Sequence, residues 1–203
     1  MAKQRLKSPR ARLFVALDLP ERVRDGLAAW QRAEIEPLPM LRALRPEALH
    51  VTLAFLGYHP EKQVAKLGEI VERVGMDAAA PTLRFFPEPE PVPKGRPRLF
   101  AAKAESESTV ALQARLEGVL VAARLYEPEK RPFWPHVTLA RIRPERRGSR
   151  KPARVDIPPG PLPEDLLEPF RSVRIRLYRS FLRPQGAEYV PLASTDLKVS
   201  NDG

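Results

Sequence analysis

The 203-residue sequence predicts an α+β fold built of two similar lobes, and three observations carry that prediction. The string His50-Val51-Thr52-Leu53-Ala54 returns as His136-Val137-Thr138-Leu139-Ala140. Composition gives such a match after a given histidine with odds on the order of 10⁻⁴ to 10⁻⁵, so the repeat marks two related halves. β-rich stretches alternate with stretches of helical periodicity, an order that fits two antiparallel or mixed sheets with helices packed outside. At 43% hydrophobic residues, the chain can bury a core shared by both lobes.

Each element has its own signal. Residues 1–10 are basic and aperiodic, and read as an N-terminal arm. Arg12 to Leu19 is β-rich, a first strand. Pro20 and Glu21 open a helix that carries Val23, Leu27 and Trp30 inward, as far as about Ala33. Leu41 to Arg45 is a short strand. The first histidine strand spans 49–56 and Gly57 closes it, which leaves His59 in a loop with no role. A second helix opens at Pro60-Glu61, with Val64, Leu67, Ile70, Val71 and Val74 as its buried stripe and Gly75 as its C-cap. Thr82 to Phe86 and Arg98 to Ala104 are strands of a long hairpin, and the proline-rich 88–97 is the loop between them. Ser106 or Ser108 caps a third helix that carries Val110, Leu112, Leu116, Val119, Leu120 and Ala123 inward. After the second histidine strand, 136–142, the stretch 143–154 is an exposed, mobile basic loop. A helical turn comes next, near 163–167. Val173, Ile175 and Leu177 alternate with charged residues in a long strand, whose hairpin partner is 188–192. Residues 195–203 read as a tail.

Side chains alternate faces along a strand. His50 and Thr52 therefore share one face, His136 and Thr138 share another, and the valine and leucine between them anchor each strand in a core. Two such strands side by side present two imidazoles and two hydroxyls to one cleft. Imidazoles serve as general acid and base near neutral pH, and hydroxyls hydrogen-bond the oxygens of an anion. Those parts suit in-line displacement at phosphorus.

H-x-T followed by a hydrophobic residue, twice in a chain of this size, resembles the 2H phosphoesterases. Within them it is most similar to the RNA 2′,3′-cyclic phosphodiesterases, also described as 2′-5′ RNA ligases. Arg12 to Asp18, Leu49 to Gly57, Arg131 to Arg141 and Tyr178-Arg179-Ser180 add to the likeness, which spans residues 11–193 as a single bilobal domain. The resemblance implies a V-shaped cleft lined by both histidine strands, with His136 as base, His50 as acid, and Thr52 and Thr138 holding the phosphate. It also implies a phosphate contact from Arg141, although strict period two turns that residue away from His136, so the role needs a bend or the strand's end. Phe133 and Trp134, and on the same argument Phe55 and Tyr58, either stack on a base or ribose or anchor packed loops. Arg143, Arg146, Arg147, Arg150 and Lys151 either contact flanking RNA backbone or are solvated charge.

A net charge of +10 favours a polyanionic partner, although an arginine- and proline-rich composition gives the same number. The expected partner is RNA ending in a 2′,3′-cyclic phosphate, tRNA fragments included, bound by a monomer. The absence of cysteine removes disulfides and thiolate metal sites, and three histidines without clustered acids argue against zinc. No metal or cofactor is therefore expected. No apolar run approaches a membrane span and no apolar stretch follows the basic start, so neither membrane insertion nor a signal peptide is expected, and the site of action is the cytoplasm. Two alternatives stand beside this reading. One is a 2H phosphoesterase acting on ADP-ribose 1″,2″-cyclic phosphate or 2′-5′ oligoadenylate. The other is a basic RNA-binding module whose histidines are structural.

Overall fold

The computed structural model describes residues 9–183 and 186–199. In chain order the elements are β1 (Arg10–Asp18), α1 (Glu21–Glu34), β2 (Leu41–Ala43), β3 (His50–Pro60), α2 (Val64–Met76), β4 (Thr82–Phe85), β5 (Glu90–Val92), β6 (Leu99–Glu105), α3 (Glu107–Ala122), β7 (His136–Ile142), α4 (Glu164–Leu167), β8 (Phe170–Arg171), β9 (Arg174–Arg183) and β10 (Gly186–Asp196). The strands form an open antiparallel sheet in the order β10-β9-β1-β3-β7-β6-β4-β8, with β2 added to β7 and β5 to β6. Two halves are evident within it. β1 and β3 are paired along their whole length, and so are β9 and β10. The halves meet where β3 faces β7, through the single pair Val51↔Val137. On either side of that pair the two strands part, and the second edge of β7 is completed by β2, which pairs Leu41 to Ala43 with Ile142 to Ala140. The cleft results from this parting.

Alternation places Leu13, Val15 and Leu17 of β1, and Ile175 and Leu177 of β9, in the main core under the helices. α2 packs on β9 and β10. Phe14, Ala16 and Tyr178 form a separate cluster on the other face, with Tyr189 packed against it. That face is the floor of the cleft. On the opposite half, α1 is tied down by its buried polar groups: Trp30 Nε1 donates to the Pro161 carbonyl at 2.9 Å, and Gln31 Nε2 donates to the Leu139 carbonyl at 2.6 Å. Ser106 caps α3, accepting from the Thr109 amide at 3.0 Å.

Several expectations change. Gly57 does not close the first histidine strand: β3 runs on to Pro60, and Gly57, at φ +73°, sits beside the bulged Leu56. His59 is therefore on the strand, its ring nitrogens 3.1 Å from Gln63 Oε1 and 3.0 Å from the Leu56 carbonyl. Gly75 is not a C-cap but lies inside α2, where an added Cβ would come within 2.7 Å of Ile175 Cγ2; the glycine lets helix and sheet approach. The 88–97 stretch contains β5, which hydrogen-bonds to β6. Val110 is exposed on the outer side of α3, and Val173 is exposed and precedes β9. The 143–154 stretch is a closed turn: Ala153 and Glu145 amides donate to the Arg143 and Lys151 carbonyls, and Pro144 bridges Pro152. The C-terminal tail is structured as far as it is described. β10 extends to Asp196, Leu197 is buried, and the Lys198 amide donates to the Ala78 carbonyl. Residues 200–203 lie outside the described residues, as do 1–8 of the N-terminal arm, whose Arg10 already belongs to β1.

Candidate active site

The pair Val51↔Val137 is the local two-fold centre of the site. Antiparallel continuation of that register sets His50 across from Thr138 and Thr52 across from His136. All four side chains are half-buried and line one cleft of about 430 Å³.

The strand alternation then breaks at the same place in both halves. In β3, Val15 pairs with Ala54 and Ala16 with Thr52, so Leu53 is an extra residue. In β7, Phe100 pairs with Ala140 and Ala101 with Thr138, so Leu139 is the extra residue. Each is a β-bulge, and each reverses the facing of the residues beyond it. Leu53-Ala54 and Leu139-Ala140 are buried in succession, and Phe55 and Arg141, both five residues after their histidine, return to the cleft. Arg141 thus stands in the cleft, by a bulge rather than by strand-end bending, and Phe55 is its counterpart. The Leu139 carbonyl, displaced from the ladder by its bulge, accepts from both Gln31 Nε2 and the Leu44 amide. α1 therefore fixes the bulge that aims Arg141.

The two imidazoles have different surroundings. His50 stacks on Phe14 with ring centroids 4.9 Å apart, and the Tyr189 ring meets it edge-on at 5.4 Å. Phe14 in turn stacks on Tyr178, whose hydroxyl donates to Asp18 Oδ1 at 2.7 Å. Burial, and then the neighbouring His136, push the His50 imidazole down to about 4 against a backbone hydrogen bond at Ala48 that raises it. His136 stacks on Trp134 at 4.0 Å and donates from Nδ1 to the Trp134 carbonyl at 3.0 Å. Burial lowers it too, while that carbonyl and the Glu129 carboxylate pull it back up. With Nδ1 carrying the proton, neutral His136 keeps a free lone pair on Nε2.

The remaining predicted residues divide. Trp134 positions His136. Phe133, packed against the core, and Trp134 line an adjoining cavity of about 490 Å³ that shares Thr52, Phe55 and His136 with the cleft. Tyr58 is exposed and not among the residues that line the cleft: the bulge at Leu56 and Gly57 breaks the alternation just before it, and its carbonyl accepts from Arg10. Arg143 is turned away by its Nε donation to the Leu41 carbonyl; with Arg150 it lines a separate basic cavity. Arg146 and Arg147 are exposed on the turn, and Lys151 pairs with Glu145 at 3.0 Å. Sequence reading missed Arg12, Arg42, Ser180 and Tyr189, all of which line the cleft. Arg12 shares a face with Phe14 on the first strand, but nothing in the sequence says which face of that strand meets the cleft. The others come from strands whose register only the fold sets. Among the described residues, no group of three His, Cys, Asp or Glu side chains converges on one point, and no helix is long and apolar enough to cross a membrane.

An open antiparallel sheet split about two His-x-Thr strands, with two imidazoles, two hydroxyls and a guanidinium lining one cleft, defines a two-histidine phosphoesterase arrangement. The model of the 2′-5′ RNA ligase superfamily matches residues 19–159, and the chain belongs to that superfamily. Among its relatives, an RNA 2′,3′-cyclic phosphodiesterase of Thermus thermophilus is 33% identical over 92% of this chain and 90% of its own. One from Archaeoglobus fulgidus is 27% identical over 89% of this chain and 97% of its own. A crystal structure of a Thermus thermophilus protein superposes with a TM-score of 0.74 at 32% identity, covering 94% of this chain and 100% of that one. E. coli LigT, solved with NADP+, shares the fold with a TM-score of 0.67 at 23% identity, covering 94% of this chain and 99% of that one.

Proposed function

We propose that the protein hydrolyses RNA 2′,3′-cyclic phosphate ends to 2′-phosphomonoesters without a metal ion. The observation that supports this most is the Val51↔Val137 pair, on either side of which a His/Thr set lines the same cleft. The cyclic phosphate sits between them, its oxygens accepting from Thr52, Thr138 and Arg141. One neutral imidazole takes a proton from water as the water oxygen bonds to phosphorus. The P–O3′ bond breaks, and the other imidazole protonates the leaving 3′ oxygen. Donors fixed in a partly desolvated cleft stabilise the pentacoordinate phosphorus. A 5′-hydroxyl end in place of water would give a 2′-5′ linkage.

The surroundings of the imidazoles support a role for each. The proton that the pair needs sits more easily on His136, which has the Trp134 carbonyl and Glu129 to stabilise it, than on His50 in its aromatic stack. That ordering suits His136 as acid and His50 as base, the reverse of what resemblance alone implies.

The test is phosphorus NMR of a nucleoside 2′,3′-cyclic phosphate incubated with the protein and EDTA. The expected result is complete conversion to the 2′-phosphate. A 3′-phosphate product would contradict the proposed cleavage at O3′, a strict demand for added divalent metal would contradict the acid/base pair, and no turnover would leave the RNA-binding alternative. Turnover restricted to ADP-ribose 1″,2″-cyclic phosphate or 2′-5′ oligoadenylate would move the activity elsewhere within the superfamily.

A further inference from the structure

Beside the cleft lies a second cavity, of about 350 Å³, that the reaction does not use. Five of the residues lining it are arginines: Arg42, Arg98, Arg141, Arg143 and Arg150. No carboxylate lines it. Arg42 and Arg141 face each other across the β2–β7 pair, and both also line the catalytic cleft, so they form the wall between the two spaces. Like charges directly opposite one another in an antiparallel pair destabilise the sheet. Nothing among the described residues relieves them: neither Arg42 nor Arg141 pairs with a carboxylate there, and nor do Arg98 and Arg150. The neighbouring basic groups are treated differently. Lys151 is paired with Glu145 at 3.0 Å and Arg154 with Asp156 at 2.6 Å. Carboxylates are thus supplied just outside the cavity and withheld inside it. The backbone holds the arginines in place: the Ile142 amide donates to the Arg98 carbonyl and Arg143 Nε to the Leu41 carbonyl. Bidentate guanidinium donors in a concave, carboxylate-free space match a phosphate.

We propose that this arginine cavity binds a second phosphate of the substrate, the one on the 5′ oxygen of the nucleotide whose cyclic phosphate reacts. The inference rests on the phosphodiesterase reading above. A 2′,3′-cyclic phosphate ends its strand, so every other phosphate of the RNA lies on the 5′ side of that nucleotide. The nearest is tethered to the reacting phosphate through one ribose. Arg42 and Arg141 meet one phosphate on each face of the wall, and Arg98 and Arg150 complete the second site. Beyond it, another cavity of about 630 Å³ shares Arg98 and Arg150 and adds Arg96, the direction in which further phosphates continue. The site therefore distinguishes an RNA end, or a 5′-phosphorylated nucleotide, from a bare cyclic mononucleoside.

The experiment compares a nucleoside 2′,3′-cyclic phosphate with the same compound carrying a 5′-phosphate. Wild type is expected to show a KM lower by about tenfold or more for the 5′-phosphorylated substrate, with kcat little changed. Arg98→Ser is expected to abolish most of that preference while leaving turnover of the bare compound unchanged, and Arg98→Lys to restore part of it. Arg147→Ser removes the same charge from an exposed position outside the cavity and is expected to keep the preference. Equal KM values for the two substrates in wild type, or equal losses in Arg98→Ser and Arg147→Ser, would overturn the site. Calorimetric titration with adenosine 2′,5′-bisphosphate against adenosine 2′-phosphate reads the same preference in the absence of turnover. If both compounds bind alike, the site is wrong even where the enzyme is active. If the bisphosphate binds tighter but no cyclic phosphate is hydrolysed, the site stands and the phosphodiesterase reading fails.

Discussion

The two halves of the cleft share one backbone and differ in what surrounds it. Each has a histidine strand, a threonine two residues on, a bulge at the leucine after that, and a cleft-facing residue five positions past the histidine. In the first half that last residue is Phe55 and the imidazole lies in a stack with Phe14 and Tyr189. In the second it is Arg141, and the imidazole has a single indole behind it and a carboxylate nearby. Duplication thus supplies symmetric placement of the two His/Thr sets, and the flanking side chains make the two imidazoles unequal, as the proposed acid and base roles require.

The largest effect should come from removing either member. His50→Ala and His136→Ala are each expected to lower kcat by about 10²–10⁴ with the fold intact, checked by circular dichroism alongside steady-state rates. More than about a tenth of wild-type activity in either variant would show that the symmetry is structural only. Exchanging the unequal residues sharpens the contrast. Arg141→Ala removes a charge-assisted donor and should cost about 10- to 100-fold in kcat/KM. Phe55→Ala should raise KM by about fivefold through lost stacking and spare kcat.

A smaller effect is expected from the support of the bulge. Gln31→Leu deletes the donor to the Leu139 carbonyl, which keeps only the Leu44 amide. Stability should fall by about 1 kcal/mol in a urea titration, and KM should rise as Arg141 loses its aim. An unchanged KM would mean that the bulge holds without α1.

The smallest effect lies in the pH profile. Both free imidazoles are lowered, His50 to about 4 and His136 below its ordinary value, so the bell for kcat/KM should have its optimum on the acid side of 6.5. The kcat bell should sit at higher pH, because bound phosphate favours the imidazolium. Glu129→Gln removes a charge that raises His136, and should move only that limb, toward lower pH. Movement of both limbs, or of neither, would undo the inequality of the two halves.

Much of this was legible in the sequence, for physical reasons. A strand with period two commits His50 with Thr52 and His136 with Thr138 to common faces, whatever the rest of the chain does. The bulges were not legible: the doublets Leu53-Ala54 and Leu139-Ala140 fit a regular strand as well, since an alanine suits either face, and only the pairing register shows the extra residue. What the sequence could not show is cross-strand register. Tyr189 reaches His50 only because β10 lies against β9 and β9 against β1, and Arg42 reaches Arg141 only because β2 fills the edge that β3 leaves open. Glycine was ambiguous for a related reason: Gly75 follows an apolar stripe as a C-cap would, yet its purpose is a close approach to Ile175, a residue distant in sequence.

If the two imidazoles act as acid and base in one displacement, replacing the leaving oxygen separates their roles. A 2′,3′-cyclic substrate with sulfur at the 3′ position needs no proton on its leaving group. His136→Ala is expected to regain most of its lost rate on this substrate, and His50→Ala is not. Rescue of His50→Ala alone would exchange the two roles; equal rescue of both variants, or of neither, would contradict the acid/base pair itself.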